Sequence, residues 1–131
     1  MRRLMIAAAL VAGLMLSTAS PASADPSPPY IASVKWVGSG HSKSLHVYPT
    51  KAGRAESVLP SAAAQGGEAW GEVLALAPDA ATPGMRAQFI CHWEYAELAQ
   101  PGKTSWDLEP WRPVVDDQQM FNAGCNPGGG N

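Results

Sequence analysis

Hydrophobic positions in this chain change their period from one segment to the next. At the start there is none: Leu4 to Leu16 runs uncharged (LMIAAALVAGLML) behind Met1-Arg2-Arg3. As a helix rising about 1.5 Å per residue, that run falls short of a hydrocarbon core about 30 Å thick. The positive start, short apolar stretch, small polar residues and Ala22-Ser23-Ala24 predict a cleavable secretory signal over residues 1–24. A membrane anchor or a buried helix is the alternative, and the A-x-A site speaks against it. Residues 25–29 (DPSPP) are expected to form a disordered lead-in.

Period two follows. In Tyr30 to Val37, Val34 and Trp36 share one face, and Ser33 and Lys35 the other. In Ser44 to Thr50, Leu45 and Val47 oppose His46 and Tyr48, and Pro49 marks the strand end or a sheet edge. The GSGHSK loop between them predicts a hairpin. Residues 51–60 look like a connection. Trp70, Val73, Leu74 and Ala77 then follow helical spacing, predicting a helix from near Glu68 to just before Pro78. Gly66, Gly67 and Gly71 weaken it by about 1 kcal/mol each relative to Ala.

Thr82-Pro83 suits a helix start, a capping hydroxyl followed by Pro, with a short helix to about Gln88. Phe89 to Ala96 (FICHWEYA) fits two templates. As a helix it joins Met85, Phe89, His92, Trp93 and Ala96. As a strand it sets Phe89, Cys91, Trp93 and Tyr95 against Ile90, His92 and Glu94, and this cleaner alternation is preferred. Pro101-Gly102 suits the centre of a type II turn. Ser105 to Glu109 alternates again, so the two runs are expected to pair as a second hairpin. Asp116 with Gln119 makes a capping box for a short helix that Gly124 would end. Asn126-Pro127 and the terminal GGGN are expected to be disordered. The expected fold class is α+β: an antiparallel sheet of about four strands with two or three short helices on one face. The domain would span 30–127, ahead of a flexible tail at 128–131.

Cleavage would leave 107 of the 131 residues, enough for one small core, and loss of Arg2 and Arg3 would move the net charge from −2 to −4. No basic stripe remains, so nucleic acid is not an expected partner. No second long apolar run exists, so no transmembrane anchor is expected. The two cysteines, Cys91 and Cys125, allow one disulfide in an oxidising compartment. A reactive thiol or a metal ligand is the alternative use.

If residues 89–96 and 105–109 form a hairpin, His92 and Glu94 lie beside Asp107 and Glu109. An imidazole among carboxylates can serve acid–base chemistry or hold a metal. It can equally be a solvated polar face. His41, His46 and His92 would make a zinc site only if the fold gathered them. Ser42, Ser44 and Ser105 lack a nucleophile elbow, and no phosphate-binding glycine loop is present. Neither a metal site nor a cofactor is expected. Five tryptophans are many for this size. Trp36 and Trp70 suit a core. Trp106 and Trp111 flank a proline-rich turn where Arg112 can stack on either, either as a recognition surface for a sugar ring or partner loop or as a clasp for SWDLEPWRP.

The strings SLHVYPT with Gly53-Arg54, TPGM, QFICH, SWDLEPWRPVV and GCNP resemble a family of small secreted bacterial proteins of actinomycete type, the domain of unknown function numbered twenty-five ninety-nine. The resemblance covers about Tyr30 to Pro127, with Asp107 in place of an expected Asn. It implies export and a Cys91–Cys125 bridge, and offers no catalytic residues. Three functions follow as expectations. The first is a non-catalytic extracellular binding module for another extracellular protein or a cell-envelope component. The second is a small secreted hydrolase using His92 with Glu94, Asp107 or Glu109. The third is a structural envelope protein.

Overall fold

A computed structural model describes residues 13–17 and 25–129. The expected signal peptide therefore lies outside the described residues except for 13–17, where Leu14, Met15 and Leu16 are exposed and without regular structure. Gly130 and Asn131 also lie outside them.

The sheet has three antiparallel strands in the order β1 (Ile31–Val37), β2 (Ser44–Pro49), β3 (Trp106–Leu108). The first hairpin forms as the alternation predicts, with Val34 opposite Val47, Trp36 opposite Leu45 and Lys35 opposite His46. Leu45 and Val47 are fully buried, and so are Trp106 and Leu108 across from them. Four helices accompany the sheet: α1 (Lys51–Ser57), α2 (Ala62–Leu76), α3 (Met85–Ala99) and α4 (Asp117–Asn122). The α+β class holds, with three strands where about four were expected and four helices where two or three were.

Both differences trace largely to residues 89–96, which are helical. In α3 the buried positions Met85, Gln88, Phe89, His92 and Trp93, with Ala96 packed behind them, form a helical stripe, and Cys91 is buried beside it against the Cys125 segment. The aromatic alternation misleads because Tyr95, on the supposed inner face, is exposed while Phe89 and Trp93 are core. Ala, Met, Gln, Glu and Leu favour a helix there, and Ile90 is the only β-branched residue. The start also differs. Gly84, in the left-handed region at φ 85°, is the N-cap, and no side chain caps the helix. β3 consequently pairs with β2 rather than with 89–96.

The segment expected to be a connection contains α1. Thr50 caps it by accepting from the Gly53 N–H at 2.9 Å. Gly53 is needed for closeness: a Cβ there would sit 2.1 Å from the Tyr30 carbonyl oxygen. α2 begins earlier than expected despite its glycines. One of them, Gly66, lets α2 approach α3, since an added Cβ would meet Ile90 and Trp93 at 3.1 Å. Aromatic rings fill the space between sheet and helices, with Phe89 and Trp93 of α3 each about 6.2 Å from Trp106 of β3.

Gln100 to Lys103 makes the expected turn, with Gly102 at φ 75° and Lys103 N–H bonded to the Gln100 carbonyl at 3.1 Å. The Asp116/Gln119 capping box is present, and Gly124 takes the left-handed conformation after α4. Cys91 of α3 and Cys125 are joined, 34 residues apart in sequence, so α4 is fastened to α3. Among the described residues no helix is long and apolar enough to cross a membrane.

Candidate binding site

At one end of the sheet, the hairpin tip, the end of β3 and the turn after it enclose a groove of about 520 Å³. The β2–β3 register builds its floor by placing His46 opposite Asp107. His46 Nδ1 lies 3.9 Å from Asp107 Oδ1, which accepts the Ser105 hydroxyl at 2.6 Å. Ser44 donates to one oxygen of Glu109 at 3.1 Å, and Arg112 Nε donates to the other at 2.7 Å. Trp111, 39% exposed, forms a wall of the groove. The Arg112 guanidinium lies 4.4 Å from the centre of its ring.

Arg112 is a buried clasp. It is 4% exposed, and Nη1 donates to the carbonyls of Pro127 and Gly129, both at 3.1 Å. Pro127 is itself buried and held by Arg112, so the chain around Asn126-Pro127 is packed against the domain and not disordered as expected. A guanidinium with a carboxylate, two carbonyls and an indole fixes the Trp111 ring.

The four residues proposed for acid–base chemistry do not converge. Asp107 and Glu109 line the groove. His92 is on α3, 3% exposed, with Nδ1 2.8 Å from the Gln88 carbonyl oxygen. Its pKa is lowered, first by burial and then by Lys103, against the opposing pull of the Gln88 carbonyl, Asp107 and Glu109. Glu94 lies on another side of α3, beside Arg86 and Asp117. Residues 89–96 do not pair with β3, so Glu94 is separated from Asp107 and Glu109, while His92, on the helix, still feels both carboxylates. The imidazole beside the carboxylates is instead His46.

That arrangement lacks the order of a nucleophilic triad. Asp107 stands between the Ser105 hydroxyl and the His46 ring, whereas proton abstraction needs the imidazole against the hydroxyl. His41 and His46 share the groove while His92 faces a different cleft, so the three histidines are not gathered. Among the described residues no group of three or more His, Cys, Asp or Glu is placed to hold a metal ion. Trp106 is fully buried and offers no surface for recognition. His46 and Ser44 complete the groove, yet nothing in their own segment marks them, because their partners lie some sixty residues away.

A family model described as "Protein of unknown function (DUF2599)" matches residues 31–128. The chain belongs to that family. DUF2599 therefore spans every groove residue but Gly129, and the resemblance read from the QFICH and SWDLEPWRPVV strings is borne out. The chain is 50% identical over 141 aligned residues to "Uncharacterized protein Rv0477" of Mycobacterium tuberculosis (strain ATCC 25618 / H37Rv), covering 95% of this chain and 94% of that relative. It is 52% identical over 100 residues to "Uncharacterized protein ML2452" of Mycobacterium leprae (strain TN), covering 76% of this chain and 80% of the relative. No solved structure matches it.

Proposed function

We propose that this protein is an exported, non-catalytic binding module that holds a sugar-bearing component of the cell envelope in the Trp111 groove. The observation that carries the reading is the pairing of an exposed indole with a buried guanidinium. Trp111 keeps 39% of its surface accessible while Arg112 beneath it is 4% exposed and bonded to Glu109, Pro127 and Gly129. An aromatic ring held still contacts a ligand with little loss of side-chain entropy. Around it stand serine hydroxyls, imidazoles and carboxylates, the mixture that bonds a hydroxyl-rich ligand. Arg112 offsets the charge of Glu109, leaving Asp107 as the carboxylate of the groove that no Lys or Arg among the described residues pairs with.

Export is supported by the leader pattern of residues 1–24 and by the Cys91–Cys125 bridge, which suits an oxidising compartment. The hydrolase reading has less support, since Glu109 and Asp107 are engaged with Arg112 and with serine hydroxyls and His92 is remote from Glu94. The purely structural reading leaves the exposed indole without a role.

The test is co-sedimentation of pure protein with insoluble cell-wall polysaccharide from the producing organism, comparing wild type with Trp111→Ala. Arg112→Ala is a poor choice, because removing one partner of a buried ion pair costs about 3–5 kcal/mol and would confound binding with unfolding. Retention of the wild type and loss in Trp111→Ala at unchanged Tm supports the reading. Equal retention of both, or retention of neither, rejects it.

A further inference from the structure

A second cleft, of about 510 Å³, opens between the C-terminal half of α3 and the chain that follows α4. Its walls are Tyr95, Phe121, Ala96, Ala99 and the Cys91–Cys125 bridge, with His92 and Lys103 as the titratable groups beside Tyr95. Tyr95 and Phe121 are both exposed and meet edge to face with centroids 5.0 Å apart. The Trp111 groove shares none of these residues.

His92 gives the cleft its chemistry. Its Nδ1 faces the Gln88 carbonyl, an acceptor, so the ring proton sits on Nδ1 and Nε2 carries a lone pair. Nε2 has no hydrogen-bond partner among the described residues. It is not sealed in either, since the one enclosed side-chain polar atom without a partner among them is Trp106 Nε1. The accessible edge of an imidazole that is 97% buried therefore opens into the cleft it lines. A lone pair set in that position, with its tautomer fixed from behind, asks for a donor.

Lys103 supplies the only formal charge in the lining. Its ammonium makes no ion pair among the described residues. The Pro101-Gly102 turn folds Lys103 back toward the end of α3, and Arg54 Nη2 holds its carbonyl at 2.6 Å. Apolar walls, the His92 acceptor and one cation, with the neutral amides of Gln100 and Asn126 also in the lining, define complementary features in a ligand: an apolar body, a hydrogen-bond donor and an anionic head. A base such as an ammonium compound would meet the wrong charge at Lys103 and, with no carboxylate in the lining, find no counter-ion.

We propose that the cleft between α3 and the Cys125 segment binds a small amphipathic acid, its hydroxyl or N–H donating to His92 Nε2, its ring or chain against Tyr95 and Phe121, and its carboxylate near Lys103. No covalent step is involved.

The probe is 4-hydroxybenzoate, which carries ring, donor and anion together, with benzoate and phenol as single-feature controls. It is titrated into full-length mature protein labelled with ¹⁵N. The expected result is a shift of the His92 ring nitrogen and of the Tyr95 and Phe121 signals. The full probe should bind about tenfold tighter than either control, and Lys103→Gln should remove about tenfold in affinity. Ala99→Trp fills the cleft from an exposed lining position and should abolish the shifts without loss of Tm. Trp111→Ala should bind the probe as wild type does, so failure here and failure of the polysaccharide reading are separate results. Absence of shifts, shifts located elsewhere, equal affinity for all three probes, or unaltered binding by Ala99→Trp overturns the proposal.

Discussion

Gln88 and Glu109 pair as if Gln88 were a strand neighbour: the Gln88 amide donates to the Glu109 carbonyl at 2.9 Å, and its oxygen accepts from the Glu109 N–H at 2.9 Å. Gln88 is 1% exposed and belongs to α3, so a helix side chain completes the hydrogen bonding at the end of a three-residue strand. The contact joins the core to the groove, because Glu109 carries Arg112 and Arg112 carries Trp111.

Gln88→Leu removes both bonds at once and leaves the part-buried Glu109 N–H unsatisfied, while the Glu109 carbonyl keeps the Arg112 N–H at 3.2 Å. The expected loss is about 2–4 kcal/mol by urea denaturation. Gln88→Glu keeps the acceptor but sets a buried carboxylate oxygen against the Glu109 carbonyl, so its loss at neutral pH should be at least as large. Equal, negligible losses in both would mean that the pairing contributes nothing net.

The Cys91–Cys125 bridge closes a 34-residue loop, and behind it Met120 is the only other buried residue of a separate small cluster. Reduction, or the double change Cys91→Ala with Cys125→Ala, should cost about 3–4 kcal/mol through the unfolded chain. α4 is only six residues long and should lose hydrogen-exchange protection first. Protection in α4 that survives reduction would place its stability in packing instead.

Two core indoles differ in one bond. Trp93 Nε1 donates to the Ala62 carbonyl at 2.7 Å, whereas Trp106 Nε1 is enclosed without a partner. Both residues are fully buried. Trp93→Phe deletes a buried hydrogen bond to the Ala62 carbonyl, while Trp106→Phe removes an unsatisfied donor. Trp93→Phe should therefore be the more destabilising by about 1–3 kcal/mol in chemical denaturation. The reverse order would contradict this account of the core.

Burial keeps the His92 ring neutral in the folded protein, against an ordinary value of 6.5. Below that pH the unfolded chain binds the extra proton and the folded one does not, so stability falls as pH falls. The penalty sets in as pH drops below 6.5 and levels off once the folded-state pKa is passed. In His92→Gln the Tm profile should lose this component, which is read as the difference between the two pH profiles. Parallel profiles from neutral pH into the acid range would show that His92 does not titrate differently on folding.

The sequence displays the β1–β2 hairpin, the α4 capping box and the Gly102 turn because each is written within a few adjacent residues. The groove is not local in that sense. Its floor depends on His46 meeting Asp107, a register that no short-range signal specifies. The decisive ambiguity was 89–96, where Phe89, Cys91, Trp93 and Tyr95 alternate while Met85, Phe89, His92 and Trp93 also form a helical stripe. Helix-favouring composition and the packing against α2, with Gly66 set against Ile90 and Trp93, together select the second. Choosing the strand displaced His92 and Glu94 into company they do not keep.

The most direct test of the binding account follows the five indole N–H signals of ¹⁵N-labelled protein as soluble fragments of cell-wall polysaccharide are added. The account requires the Trp111 signal to move in a saturable way while that of buried Trp106 stays still. A Trp111 signal that holds its position through the titration, or one that moves only as all five move together, would contradict it.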